Sequence, residues 1–210
     1  MATSLAKKNI LKRIREALIN PVPLPFPESE GNNSVFVQSN DEPIVVFAEE
    51  FTKLQGRLVF CTNEADFYLQ LQQLILQKNW QKIYCNESAL QEKLRSINIL
   101  NSGNLPTCDV AITFCEYLVA RTGSIVLSTA QQSGRTASVY APIHICVAYS
   151  NQLVNDVEDA LQLMKQKYAD SFPSFITFAS GPSRTADIEK TLVTGVHGPK
   201  EVFCFLIDNQ

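Results

Sequence analysis

Four short stretches gather the side chains that bind or move charge: ARTGS (120–124), STAQQSGRTAS (128–138), SGPSRTADIE (180–189) and TGVHGPKE (194–201). Arg135 and Arg184 carry planar guanidinium groups suited to carboxylate or phosphate. Ser183 and Thr185 place hydroxyls beside Arg184, and Thr122, Gly123 and Gly198 supply turn backbone. Together these residues describe a site for a small anion. His197 is the candidate catalytic acid–base group, because histidine is the side chain suited to proton transfer near neutral pH. The SGPSRTADIE stretch admits two readings. In one, Thr185 caps a helix whose first turn holds Asp187 and Glu189. In the other, the same helix start holds an anion with Ser183 and Arg184.

Several chemistries lack their motifs. No G-x-G-x-x-G, no G-x-x-x-x-G-K-[ST] and no G-x-S-x-G occurs in the chain. The six cysteines (Cys61, Cys85, Cys108, Cys115, Cys146 and Cys204) form no C-x-x-C pair. Iron–sulfur and zinc sites need clustered thiolates, so these cysteines read as small buried hydrophobes. His197 and His144 alone do not make a metal site, and none is expected. A net charge of −3 and a pI near 5.5 argue against nucleic-acid binding, which needs a basic face. No transmembrane run and no export signal are visible, and unpaired cysteines fit a cytoplasmic location.

The elements that must position these loops follow from periodicity. Residues 1–20 read as a basic helix with Leu11, Ile14 and Leu18 on one stripe. Residues 21–43 begin with PVPLPFP and read as an extended linker, since alternating prolines forbid a helix. Residues 44–210 alternate helix and strand. The strand runs are GRLVFC, KIYC, DVAIT, GSIVLST, IHICVAYS, SFITFA and EVFCFLI. FCEYLVA and TADIEKTLV read as short helices, and a hairpin-like antiparallel pair is expected between residues 121 and 150. The fold class is therefore α/β, a central, mostly parallel sheet with helices on both faces. Ligands of such sheets bind beyond the carboxyl ends of the strands.

The segments CDVAIT, ARTGSIVLS, SGRTASVYAPIHICV and SGPSRTADIEKTLVTGVHGPKEVFCFLID occur in this order, after an opening ILKRIREAL and prolines. This pattern resembles the LUD domain family, which supplies one component of the bacterial lactate-utilisation system. The resemblance implies a fold similar to the ribose-5-phosphate isomerase, glucosamine-phosphate deaminase and CoA transferase group. It also implies an accessory role in L-lactate oxidation to pyruvate, beside partner subunits that carry the iron–sulfur clusters, with no cofactor in this chain. One residue departs from the family pattern. Arg121 stands before Thr122-Gly123 where an acidic residue is usual, which reverses the charge at that edge, and Glu116 lies five residues earlier.

Three functions are consistent with these readings. The first is a lactate-utilisation subunit that binds a small anion at the strand ends. The second is a non-catalytic scaffold for the iron–sulfur subunits, docked through the basic helix. The third is a stand-alone isomerase- or CoA-transferase-like enzyme, which rests on fold analogy alone.

Overall fold

A computed structural model describes residues 5–19, 36, 41–99, 103–186 and 192–209. The chain divides into two compact units, Met1–Gln38 and Ser39–Gln210. The first unit contains helix α1 (Leu5–Leu18), which buries none of its residues. The proline linker expected over residues 21–43 lies almost wholly outside the described residues.

The second unit runs α2 (Pro43–Lys53), β1 (Arg57–Cys61), α3 (Glu64–Lys78), β2 (Ile83–Tyr84), α4 (Ser88–Ser96), β3 (Val110–Phe114), β4 (Tyr117–Val119), β5 (Ser124–Ser128), α5 (Ala137–Tyr140), β6 (Ile143–Tyr149), β7 (Leu153–Val154), α6 (Val157–Tyr168), β8 (Ile176–Ala179), β9 (Arg184–Ala186), β10 (Leu192–Thr194) and β11 (Glu201–Ile207). The central sheet has the order β1-β11-β6-β3-β2, and every pairing in it is parallel. A second sheet has the order β7-β4-β5-β8.

The sequences of β6 and β11 explain why they lie at the centre. Both are apolar at successive positions, as a strand buried on two faces must be. Ile145, Val147, Phe203 and Phe205 face one core, where Phe67 and Leu71 of α3 and Leu90 and Leu94 of α4 cover them. Cys146, Ala148, Cys204 and Leu206 face the other core, which is closed by Phe47 and Phe51 of α2 and by Leu118, Ile125 and Leu127 of the second sheet. Helices thus lie on both faces, as expected, and one face is shared with a small sheet. All six cysteines are thiols outside any disulfide, and all are buried.

Three local expectations are corrected. FCEYLVA is not a helix but contains β4. Leu118 points into one core while Tyr117 and Val119 point into another, which is the two-sided alternation of a strand. The pair expected between residues 121 and 150 is not a hairpin. β5 pairs antiparallel with β4 and β8, whereas β6 pairs parallel with β3 and β11. The doubly apolar β6 needs both its faces buried, and α5 intervenes to carry the chain between sheets. The described ends of TADIEKTLV, 185–186 and 192–193, are strand and not helix. Thr194 pairs with Arg184, Val193 with Thr185 and Leu192 with Ala186, so β9 and β10 form an antiparallel ladder. Thr185, Val193 and Thr194 are β-branched, which favours this extended state. Thr185 lies within β9 and so is not an N-cap, and Asp187 and Glu189 lie outside the described residues.

Among the described residues no helix is long and apolar enough to cross a membrane.

Candidate functional site

The sequence-identified residues fall in three places. Ser183 and Gly198 meet directly. A Cβ built on Gly198 would lie 2.8 Å from the Ser183 Cβ, and the Ser183 N–H donates to the Pro199 carbonyl at 2.9 Å. His197 and Gly198 line a cleft of about 450 Å³ with Tyr140 and Lys200, and both His197 and Arg184 are exposed. This cleft lies at the amino ends of the central strands, because Pro142 immediately precedes β6 and Lys200 immediately precedes β11. The expectation that the 194–201 loop sits at the carboxyl ends is therefore corrected: that loop enters β11 rather than leaving a strand.

Thr122 and Gly123 belong to the β4–β5 turn. The Ser124 hydroxyl donates to Thr122 Oγ1 at 2.8 Å and lies 2.6 Å from the Ser180 hydroxyl. Gly123 packs against the backbone of α2 at Glu50 and Phe51. Arg135 is exposed, with its guanidinium 5.9 Å from the Phe175 ring centre. Arg121 is occupied. Its Nε and Nη2 donate to the two carboxylate oxygens of Asp156, each at 2.7 Å. Asp156 caps α6, so the reversed charge at position 121 serves a helix start.

The carboxyl ends of the central strands carry a different set of side chains. A cleft of about 570 Å³ opens there, lined among others by Glu87, Glu116, Gln131, Tyr149, Lys167 and Tyr168. Chain order explains the convergence. Glu87 follows β2, Glu116 follows β3 and Tyr149 ends β6, so neighbouring parallel strands deliver all three to one edge. Lys167 and Tyr168 arrive from the last turn of α6.

The two glutamates are almost wholly buried, yet their surroundings differ. Glu116 accepts from Ser128 Oγ at 2.5 Å, Tyr168 OH at 2.7 Å and Lys167 Nζ at 2.8 Å. Burial pushes its carboxyl up, but the Lys167, Ser128 and Tyr168 donors outweigh burial and leave it below the usual carboxylate range. Glu87 accepts from the Phe114 N–H at 2.8 Å and from the Ser133 hydroxyl. Among the described residues it has no ion pair. Burial pushes its carboxyl up, the Ser133 and Phe114 donors offset part of that rise, and the Glu116 charge adds to it. Two carboxyls whose environments push them apart can divide the roles of proton holder and fixed anion.

The rim is braced by the 128–138 stretch. The Gln132 side-chain oxygen accepts from the Ser88 N–H at 2.7 Å, and Asn86 Nδ2 donates to the Gln132 carbonyl at 2.8 Å. Glu87 precedes α4 but does not cap it, since its side chain turns towards Ser133 and Phe114. On the opposite side, Gln152 Nε2 donates to the carbonyls of Cys115 at 2.8 Å and Glu116 at 3.1 Å.

Sequence reasoning missed Glu87, Tyr149, Lys167 and Tyr168. A signal existed for the first: a carboxylate shortly after a strand of a parallel sheet lies at the ligand edge. The pairing of Lys167 with Glu116, residues 51 apart in sequence, left none. Among the described residues, no group of three or more His, Cys, Asp or Glu side chains is placed to hold a metal ion.

Comparison with known proteins gives the chain its relatives. Lactate utilization protein C of Bacillus licheniformis is 34% identical over 104 residues, which are 49% of this chain and 43% of that protein. Lactate utilization protein C of Halalkalibacterium halodurans is 37% identical over 101 residues, which are 47% of this chain and 44% of that protein. This chain thus matches less than half the length of these curated relatives. A solved DUF162 family protein from Deinococcus radiodurans superposes with a TM-score of 0.61 at 17% identity, over 81% of this chain and 99% of that one, a likeness of fold. The LUD domain profile matches residues 72–207, a span that includes Glu87, Glu116 and Lys167, and the chain belongs to the LUD domain family.

Proposed function

We propose that this chain is an accessory protein of lactate utilisation that binds a small organic acid in the cleft at the carboxyl ends of β2, β3 and β6. The single observation that carries this reading is the polar cluster there: one lysine and two buried glutamates beside a cavity of about 570 Å³, large enough for a small acid. The names of the relatives supply the substrate class. Lys167 is half-exposed beside Glu116 and Tyr168, and an ammonium with three donors can still offer one to a ligand carboxylate. The cation lining the cleft is thus Lys167, while Arg135, Arg184 and His197 do not line it. The cytoplasm is the compartment this role requires.

Thermal-shift titration with L-lactate and pyruvate tests the assignment. Both acids raise Tm in the parent. Lys167→Met weakens binding by about tenfold or more, the worth of a charge-assisted hydrogen bond, relative to its own ligand-free Tm. Arg184→Ala and His197→Ala respond like the parent. Loss of the response in the Arg184 or His197 variants, with Lys167→Met unaffected, transfers the site to the amino-end cleft.

A second reading rests on α1. Ile10, Leu11, Ile14 and Leu18 are exposed on this helix, and Lys7, Lys8, Lys12, Arg13 and Arg15 make it basic. In this reading the helix docks the chain onto iron–sulfur subunits, which hold the clusters of the system. Co-purification with such subunits is then lost on deleting residues 1–27 and survives Arg184→Ala and His197→Ala. Retention after the deletion overturns the docking role.

A further inference from the structure

We propose that the cleft takes up a proton together with its ligand: a small 2-hydroxy or 2-oxo monocarboxylate binds beside Lys167, and Glu87 is the group that holds the proton. The proposal rests on the reading of this cleft as the acid site.

Proton uptake follows from the charge balance of the cleft. Glu116 and Lys167 neutralise one another at 2.8 Å, and Glu116 is held further by Ser128 and Tyr168. A bound carboxylate therefore adds one negative charge to a cleft whose remaining charged side chain is Glu87. Among the described residues Glu87 has no cation to offset it; its donors are the Phe114 N–H and the hydroxyl and backbone N–H of Ser133. An ionised Glu87 repels the ligand. A protonated Glu87 does not, and it brings an O–H donor to the cleft.

The local hydrogen bonds permit both states. The Phe114 N–H is fixed on Oε2 and donates in either state. Ser133 sits at Oε1, and a serine hydroxyl can accept as readily as it donates. The proton can therefore reside on Oε1 and be donated to Ser133 Oγ, while the Phe114 N–H stays bonded to Oε2.

The titratable groups around Glu87 come from four elements. They are Cys85 on its own turn, Cys115 and Glu116 after β3, Tyr149 at the end of β6, and Lys167 and Tyr168 on α6. Burial pushes the Cys85 thiol up to about 11, and Cys115 and both tyrosines are also raised. Lys167 stays charged and Glu116 stays ionised in their pair. Glu87, raised by burial, is the group left to change charge above the ordinary carboxylate range.

Calorimetric titration of the full chain with L-lactate and with pyruvate tests this, from about pH 5 to 8 in paired buffers of different ionisation heat. Wild type is expected to take up about one proton per ligand above the Glu87 pKa, with affinity falling about tenfold per pH unit there. Glu87→Gln is expected to bind without proton uptake and with a flat pH profile. If Glu87→Gln does not fold, Ser133→Ala serves instead. It removes a donor to the ionised form, so the window of uptake moves to higher pH. Binding without uptake in wild type, undiminished uptake in Glu87→Gln, or an unmoved window in Ser133→Ala overturns the proton-linked role and leaves the acid site standing. Failure of both acids to bind at any pH overturns the acid site itself, and the coupling with it.

Discussion

Gly123→Ala is expected to lower the unfolding free energy by roughly 2–5 kcal/mol, the sum of a left-handed backbone cost and an overlap with fixed backbone. Gly123 has φ +54°, where an alanine is strained whatever the space. A Cβ there would also lie 2.5 Å from the Phe51 amide nitrogen, 2.7 Å from the Glu50 carbonyl carbon and 2.8 Å from the Phe51 Cα. No rotamer relieves such contacts, because every atom involved is backbone of α2. Moving α2 disturbs Phe47 and Phe51, which are fully buried and stack with ring centres 5.3 Å apart. Gly134 is the internal control. It has φ +58° with nothing within 4 Å of a built Cβ, so Gly134→Ala should show only the backbone cost, about 1–2 kcal/mol. Urea denaturation of the two variants decides the matter. If Gly123→Ala is no worse than Gly134→Ala, close packing against α2 is not why a glycine stands at position 123.

This outcome bears on how the site was legible in the sequence. Gly123 and Thr122 attract attention because glycine and threonine in a turn resemble ligand-binding loops. Their contacts show a second use for the same residue types, the close approach of a turn to a helix. Arg121 is parallel: a guanidinium beside a turn reads as an anion partner, and its partner is the Asp156 carboxylate. Residue type alone does not separate an internal anion from an external one. That separation needs the long-range pairing, here between residues 35 apart.

The α/β order was legible because β6 and β11 are apolar on both faces, and an unbroken apolar run bounded by turns has few other homes. β4, β9 and β10 are three residues each, too short for periodicity to register. Using the carboxyl-end rule requires the direction of each loop. The 194–201 loop enters β11, so its His197 lies at the wrong edge for that rule. Glu87 and Glu116 lie at the right edge, in CNESAL and TFCEY, and neither stretch carries a motif. Their distinction is burial with unequal partners, which belongs to the fold and not to the string.

The other histidine should dominate the acid side of the stability profile. His144 is 1% exposed on β6, between β3 and β11, with Nε2 2.9 Å from Thr113 Oγ1. Burial pushes its imidazole down to about 4 from an ordinary 6.5. Between those values the unfolded chain binds the proton that the folded chain refuses. Stability therefore falls as pH drops through this window, by about 1.4 kcal/mol per unit and about 3 kcal/mol in all. Above the window both states are neutral at this site, and below it both are protonated, so the contribution is flat on either side. Glu116 and Asp156 have depressed carboxyls, and the stability they contribute is lost lower, as pH falls below the ordinary carboxylate range. Glu87 acts in the opposite sense, since a raised carboxyl favours the folded state as pH falls. His144→Gln keeps a neutral group that can reach Thr113 and removes the titration. Its urea midpoint should hold or rise from about pH 6.5 to 4.5, the rise coming from Glu87, while that of the parent falls relative to it. Equal losses in parent and variant over this range would assign the acid sensitivity to the carboxylates instead.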